Sequence, residues 1–425
     1  MTAGGILLLM LWMGSHLLVL NTVRVTRQPH ITFVMISMML MLAYLMKPYT
    51  YDLNKYSIFF HTGFIPVQAW HSPNDEFRLD PLDTTGEPFD QGFEVGFRWL
   101  AKIGSKVLPA GSLVPRLDAD FGDFRERGPP RSDAMIFLIM GLGFMVLFAG
   151  IRSFGIRNYS NTHFTEIDLV PVAAIILGSL FFILGSQNSL RQFLGLTIVF
   201  LAMASMASRH FLVSAILVVL SGVFHKWSPI LGMIGIYLVI LGSVSKTNHA
   251  TGEVHPFRLS YPETFALISG IMLVILIKSI MVTGMFNLDI PLFDDLKPYV
   301  IKANEFNIVN SLERISVLLK GCFIFGLVLI SEGLIGKTKH NESANNDIRS
   351  LRRRTILFIF PLIIYPEIFS RVMVLYWVVE IVFLVWALNS EKTRVRLGGA
   401  VVFVAYGFAP NAVNVLVGPN WLYSF

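Results

Sequence analysis

Long apolar stretches recur along the whole chain and are separated by shorter polar segments. Most have roughly 17–21 residues, which as a helix rising ~1.5 Å per residue is enough to cross the ~30 Å hydrocarbon core of a bilayer. Helices are favoured over strands because backbone groups in lipid must bond within their own element, and the stretches are too uniformly apolar for barrel strands. The pattern therefore predicts an all-α polytopic integral membrane protein.

A sliding hydropathy window predicts about twelve transmembrane helices, with boundaries good to a few residues. The predicted spans are roughly 4–20, 31–46, 134–151, 169–185, 190–207, 211–224, 229–244, 264–284, 315–335, 355–366, 371–389 and 398–417. Together they predict a single transmembrane domain over residues 1–425, interrupted by two long polar segments at 47–133 and 285–313.

Basic residues cluster in alternate loops between the predicted spans. These loops are "NTVRVTRQPH", "RSFGIRNYSN", "KTKHNESANNDIRSLRRRT" and "EKTRVRL", and the third holds Arg349, Arg352, Arg353 and Arg354. Loops rich in lysine and arginine stay on the cytoplasmic side of a membrane. The distribution therefore predicts that these four loops are cytoplasmic and that both termini lie outside.

The segments 47–133 and 285–313 then become external loops. Within the first, "YDLNKYSIFFHTGF" and "FEVGFRWLAKIGSKVL" repeat apolar residues at the spacing of amphipathic helices. Such helices are expected to lie along the membrane surface and to cover a cavity.

The composition agrees with a membrane protein and excludes several kinds of site. Hydrophobic residues make up 54% of the chain and charged residues 15%, and the mean hydropathy is +0.62. The net charge of +6 is explained by the short loops, so no nucleic-acid partner is expected. The lone Cys322 excludes disulfides, and the chain has no phosphate loop, no GxGxxG motif and no metal-ligand spacing. No metal or other cofactor is expected.

The segment "GSQNSLRQF", residues 185–193, is unusually polar for a turn between two apolar spans. Arg191 falls in the first turn of the following helix, where the unbonded amides already favour an anion. A cation added there makes a site suited to phosphate or pyrophosphate. The alternative is an arginine whose charged end reaches lipid headgroups.

The next external turn, "SGVFHKWSP", places His225 and Lys226 at the end of the neighbouring span. Consecutive helices are expected to be neighbours, so these residues and Arg191 should meet at one external opening. Arg314 and Arg371 also stand at external span ends. Several cations at one depth favour a polyanionic ligand, whereas the alternatives are phospholipid headgroups and, for His225, an ordinary hydrogen-bonding role.

Carboxylates supply candidate proton acceptors. Asp52 and Glu94 both belong to the first external loop and could take a proton from an attacking hydroxyl. For Asp52 the alternative is a helix N-cap. Glu332 and Glu380 lie inside predicted spans, where a carboxylate is either functional or paired.

Four motifs in order resemble the EpsG family of bacterial polysaccharide polymerases, which is Wzy-like. The family pattern D-x3-Y-x3-F falls on Asp52, Tyr56 and Phe60, and E-x-G-F-x2-L falls on Glu94, Gly96, Phe97 and Leu100. Q-x2-L-R-Q falls on Gln187, Leu190, Arg191 and Gln192, and the helix ending in F-H-K falls on Phe224, His225 and Lys226. The resemblance covers about residues 47–240 and is absent from the C-terminal half beyond its hydrophobicity.

The resemblance implies a polymerase that joins oligosaccharide repeat units carried on undecaprenyl diphosphate. It implies a fold like that of GT-C-type membrane glycosyltransferases, metal-independent chemistry, and an active site on the periplasmic or external face of the bacterial inner membrane. Membrane lipid surrounds such an enzyme, and its protein partners would be a chain-length regulator and other polysaccharide assembly proteins.

The hypothesis for the mechanism gives each candidate a role. Arg191, helped by Arg314 or Arg371, neutralises the leaving diphosphate, and Asp52, Glu94 or His225 activates the acceptor hydroxyl. Substrate binding would further involve Gln187, Gln192, Lys226 and Tyr56. The alternatives are a membrane O-acyltransferase that modifies the same polysaccharide, a transporter of lipid-linked glycan, and a scaffold for other assembly enzymes.

Overall fold

The computed structural model describes residues 94–107, 130–158, 172, 175–177, 179, 190–246, 259–282, 308–336, 343–388, 390 and 392–408. Within these ranges the chain is helical, with turns between helices and no strand. The predicted spans at 4–20 and 31–46 lie outside the described residues, as does most of the span at 169–185.

In chain order the described elements are α1 (Val95–Val107), α2 (Pro130–Asn158), α3 (Leu190–Ala207), α4 (Phe211–Phe224), α5 (Ser228–Lys246), α6 (Tyr261–Val282), α7 (Ile308–Ile335), α8 (Ser343–Ile359), a 3₁₀ turn (Phe360–Ile364), α9 (Pro366–Leu388), α10 (Thr393–Val402) and a π-helical turn (Phe403–Phe408). Most described helices begin within five residues of the first residue of a predicted span, whereas α7 begins seven and α8 twelve residues before one, and α1 lies in the predicted first external loop.

Four stretches in these helices are long and apolar enough to cross a membrane. They are Leu190–Ala207, Tyr261–Ile280, Val317–Ile335 and Ile368–Leu388, and shorter apolar stretches run through Met135–Ile151, Phe211–Phe224 and Ser228–Gly242. The fold is therefore that of a helical membrane protein. The expected total of about twelve spans stays a prediction.

Helix α3 lies at the centre of the first group of helices and packs against α2, α4 and α5. Two glycines of α2 seven residues apart, Gly143 and Gly150, receive the rings of Phe193 and Phe200, which are also seven residues apart on α3. A methyl group at either glycine would overlap the ring that it faces. Small residues at matched spacing thus allow α2 and α3 to approach closely, as is common between helices in membranes.

Two prolines explain why the predicted span at 355–366 is not a separate helix. Helix α8 already begins at Ser343 and continues to Ile359, and Pro361 then stands at the start of the 3₁₀ turn. Proline lacks the amide hydrogen that an α-helix needs, so the chain re-forms a helix only at Pro366, where α9 begins. Much of the predicted cytoplasmic loop at 337–355 is therefore helix.

The two turns around α4 define two ends of this helix group. Residues 208–210 join α3 to α4, with Arg209 in the left-handed region at φ 59°. Residues 225–227 join α4 to α5 at the opposite end, beside the first turn of α3. The candidate residues Arg191, His225 and Lys226 belong to the second of these ends.

Candidate functional site

The turn at His225 is held by backbone hydrogen bonds to both flanking helices. The His225 amide donates to the Ser221 carbonyl of α4 at 3.1 Å, and the Ser228 amide of α5 donates to the His225 carbonyl at 2.9 Å. His225 itself is extended, with φ −157° and ψ 120°. The imidazole is thereby fixed between the end of α4 and the start of α5.

Glu94 joins this turn to two other parts of the chain. Its Oε2 accepts a hydrogen bond from Arg191 Nη1 at 2.7 Å, and its Oε1 lies 3.4 Å from the Lys226 amide nitrogen, which donates to it. The Arg191 side chain is 27% exposed and the Glu94 side chain 13%. The ion pair therefore sits at the edge of the protein interior, where a ligand could reach it.

Close packing of α1 on α4 fixes the position of Glu94. A Cβ at Gly96 would lie 2.6 Å from Val223 Cγ1 and 2.9 Å from the Val223 carbonyl oxygen, and the neighbouring Phe97 is fully buried. Glycine at this position lets the two backbones touch. The opposite side of α1 is apolar and exposed, with Trp99 the most exposed residue of that side.

His225 is buried among charges. Burial, helped by the fields of Arg191, Arg371 and Lys226 and opposed by that of Glu94, lowers the pKa of its imidazole from 6.5 to about 4. The side chain is 8% exposed, and its Nδ1 has no hydrogen-bond partner among the described residues. His225 is therefore neutral at neutral pH.

These contacts define the Arg191 cluster, which consists of Glu94, Arg191, His225, Lys226 and Arg371. It brings together α1, α3, the turn at 225–227 and the first part of α9. Among the described residues no group of three or more His, Cys, Asp or Glu side chains could hold a metal ion.

A scan of protein-family models, a search of curated proteins and a search of solved structures each find no match. The resemblance to the EpsG family thus depends on the motif residues alone and stays a prediction.

The other predicted site residues lie either in described helices or outside the described part of the chain. Gln192 follows Arg191 in the first turn of α3 and is partly buried. Arg314 lies in the second turn of α7, and its side chain is outside the described part of the chain. Asp52, Tyr56 and Gln187 also lie outside the described residues.

A second charged group lies around α8. Arg349 donates to Glu332 of α7 at 2.7 Å and Arg352 donates twice to Glu380 of α9 at 2.6 and 2.8 Å. Arg353 pairs with Glu263 of α6 at 3.1 Å. These six residues form the Arg352 network, in which each guanidinium has its own carboxylate.

The Arg352 network corrects the sequence-based interpretation of this segment. Arg349, Arg352, Arg353 and Arg354 were expected in a loop, and this is wrong, because they lie in helix α8 with all four side chains buried. The cytoplasmic position of the segment stays a prediction. Carboxylates on neighbouring helices make burial possible for the three in the network. Glu332 and Glu380 were expected to be either functional or paired, and the structure confirms that both are paired with arginines.

Two features of the described residues were not expected from sequence. Glu94 is hydrogen-bonded to Arg191 through one oxygen and to the turn through the other, whereas the motif alone indicated only a nearby acid. Ser228 is fully buried beside His225, although a serine followed by proline reads as an ordinary helix start.

Proposed function

We propose that the protein is a membrane glycosyltransferase that joins lipid-diphosphate-linked oligosaccharide repeat units into a surface polysaccharide. The observation that supports this best is the Arg191 cluster, in which Arg191 is held 2.7 Å from Glu94 beside a buried, neutral His225. The donor would be a repeat unit on undecaprenyl diphosphate, and the reaction would occur at the external face of the bacterial inner membrane.

The charge of the cluster suits a diphosphate. Arg191, Lys226 and Arg371 supply three positive charges near His225, and Glu94 supplies one negative charge. Several cations close together attract a diphosphate ester, and arginine adds the planar pair of donors whose hydrogen bonds phosphate oxygens accept.

The surroundings of the cluster suit the lipid part of such a donor. Val219 and Val223 near the end of α4 are exposed apolar residues, as is Trp99 on α1. In a membrane these side chains contact acyl or prenyl chains at the level where a headgroup would meet Arg191. A GT-C-like fold remains part of this proposal.

The proposed reaction uses Arg191 and His225. An acceptor sugar hydroxyl attacks the anomeric carbon of the donor, a glycosidic bond forms, and the bond from that carbon to the phosphate oxygen breaks. The bonding electrons leave with the diphosphate, whose growing charge Arg191 stabilises. The hydroxyl proton passes to His225.

Donor binding would prepare His225 for this step. The positive fields of Arg191, Arg371 and Lys226 help to hold the pKa of His225 near 4 in the free protein. A diphosphate bound among them opposes those fields and raises the pKa of the imidazole, while burial, the larger cause, continues to lower it. His225 thus becomes a better base only when the donor is present.

The test is the chain-length distribution of the surface polysaccharide in a strain lacking the gene and complemented with variants. Arg191→Ala should leave mainly single repeat units at the cell surface, because the leaving group loses its main counter-charge. Arg191→Lys should restore the charge without the planar donors and give shortened chains.

The matched control is Arg394→Ala, which removes an exposed arginine of α10. Variant protein in the membrane is measured by immunoblot. A normal ladder from a stably expressed Arg191→Ala protein would remove Arg191 from the reaction. Normal-length polymer without acyl groups in the deletion strain would favour an O-acyltransferase, and loss of all surface glycan would favour a transporter.

A further inference from the structure

Ser228 is a buried hydroxyl with no hydrogen-bond partner among the described residues. Its side chain is 0% exposed, and its Oγ makes no hydrogen bond there. Other buried hydroxyls do bond backbone carbonyls, namely those of Ser179, Thr197, Ser214, Ser221, Ser331 and Thr355. Leaving a buried hydroxyl without a partner is unfavourable, so its retention calls for an explanation.

Ser228 stands at the start of α5 and differs from these hydroxyls. A serine within a helix usually bonds a carbonyl three or four residues earlier. At Ser228 the carbonyl three residues earlier is that of His225, which accepts the Ser228 amide at 2.9 Å but no bond from the hydroxyl. The Ser228 hydroxyl therefore makes no hydrogen bond to the local backbone.

A second buried polar atom of the same turn also lacks a hydrogen-bond partner among the described residues. His225 Nδ1 is buried and makes no hydrogen bond to any described residue. Ser228 Oγ and His225 Nδ1 are called the buried pair below. The two atoms belong to one turn and are complementary in kind, because the hydroxyl can donate to a substrate oxygen and the imidazole nitrogen can accept a proton.

Gly195 of α3 brings the buried pair next to the Arg191 cluster. A Cβ at Gly195 would overlap Ser228 Oγ and lie 3.2 Å from His225 Cβ. Gly195 is four residues after Arg191, so both residues are on the same face of α3, about 6 Å apart along its axis. The pair thus lies one helical turn deeper than the cation that would hold the diphosphate.

We propose that the buried pair binds the acceptor sugar hydroxyl, with Ser228 Oγ donating to its oxygen and His225 Nδ1 accepting its proton. This assignment rests on the proposed function and adds Ser228 as a residue that contacts the substrate. It requires the imidazole proton of His225 to be on Nε2. Gly195 is needed because any side chain there would collide with the Ser228 hydroxyl itself.

The experiment compares polymer formation and thermal stability of purified Ser228→Ala with those of the wild type. Removing an unpartnered buried hydroxyl should leave the melting temperature unchanged or raise it. The rate of polymerisation of lipid-linked repeat units should fall about tenfold, because one hydrogen bond to the substrate is lost. A merely structural serine would not combine a preserved melting temperature with a slower reaction.

Two further variants and a control make the result specific. Ser228→Cys replaces the hydroxyl with a somewhat larger thiol that donates weakly, and Gly195→Ala pushes a methyl group against the hydroxyl; both should slow the reaction as Ser228→Ala does. Gly141→Ala adds the same methyl group on α2, where nothing lies within 4 Å, and should be normal.

Binding of undecaprenyl diphosphate separates failure of this inference from failure of the proposed function. Ser228→Ala should bind this lipid as the wild type does, because the diphosphate is held by the cations. Normal polymerisation by Ser228→Ala, with Arg191→Ala inactive, would overturn the role of Ser228 alone. Normal polymerisation by both variants would overturn the proposed function as well.

Discussion

The Arg352 network and the Arg191 cluster are both built around arginines, but they differ in how far solvent can reach them. In the network three arginines meet three carboxylates, and no side chain of these six residues is more than 7% exposed. In the cluster Arg191 pairs with Glu94, and the Arg191 side chain is 27% exposed. The first group is closed to solvent, whereas the second is open to it.

Under the proposed function, this difference separates a structural role from a binding role. A charge buried in a protein interior needs a partner of opposite sign, so the network can be buried only because its charges are paired. The network also connects α6, α7, α8 and α9, and Arg352 further stacks 3.8 Å above the Phe383 ring. A cation that binds an anionic ligand must be accessible to that ligand, and the partly exposed Arg191 meets this condition.

The largest expected effect concerns the network. Glu380→Gln should lower the free energy of unfolding by about 3–5 kcal/mol, because it leaves the Arg352 guanidinium buried without its main partner. The double variant Arg352→Met with Glu380→Leu should recover most of that loss, since it removes both charges. Chemical unfolding in detergent measures each value.

The matched change in the cluster is Glu94→Gln. It breaks a partly exposed pair and should cost about 1 kcal/mol or less. An equal loss of stability in Glu94→Gln and Glu380→Gln would contradict the distinction between the two regions.

A smaller effect follows from the buried imidazole. The folded protein holds the pKa of His225 at about 4, below its usual 6.5. As the pH falls below about 6.5, the unfolded chain takes up a proton that the folded protein does not, so unfolding becomes easier. The free energy of unfolding should fall by on the order of 2 kcal/mol between pH 7 and pH 5, and should recover as the pH rises.

The pH dependence is isolated by comparison with His225→Gln, which has no group to titrate at that position. Thermal unfolding at each pH gives the difference between the two proteins. A wild type and a His225→Gln variant with the same pH dependence would contradict a buried, neutral His225.

Much of the helical fold could be predicted from the sequence. The bounds of α3 and α4 were predicted residue for residue, because polar turns interrupt otherwise uniform apolar stretches there. Helix α8 was missed because four arginines within six residues resemble a solvated loop. Their burial depends on carboxylates 17 and 28 residues away for Arg349 and Arg352, and local spacing does not reveal such partners.

The candidate site could also be predicted in part from the sequence. Consecutive helices place Arg191 near His225, so that proximity could be expected from the order of the spans. The pairing of Arg191 with Glu94 spans 97 residues and needs the packing of α1 on α4. Ser228 was missed because the packing of α3 against the start of α5 decides whether its hydroxyl finds a partner, and the sequence does not show that packing.

The central claim is that the Arg191 cluster binds a diphosphate carried on a lipid. The most direct measurement is the affinity of the purified protein for undecaprenyl diphosphate, with undecaprenyl monophosphate as the comparison lipid. The wild type should prefer the diphosphate, and Arg191→Ala should lose at least about tenfold in affinity for it while Arg394→Ala does not. Equal binding of both lipids by the wild type, or unchanged diphosphate binding by Arg191→Ala, would contradict the claim.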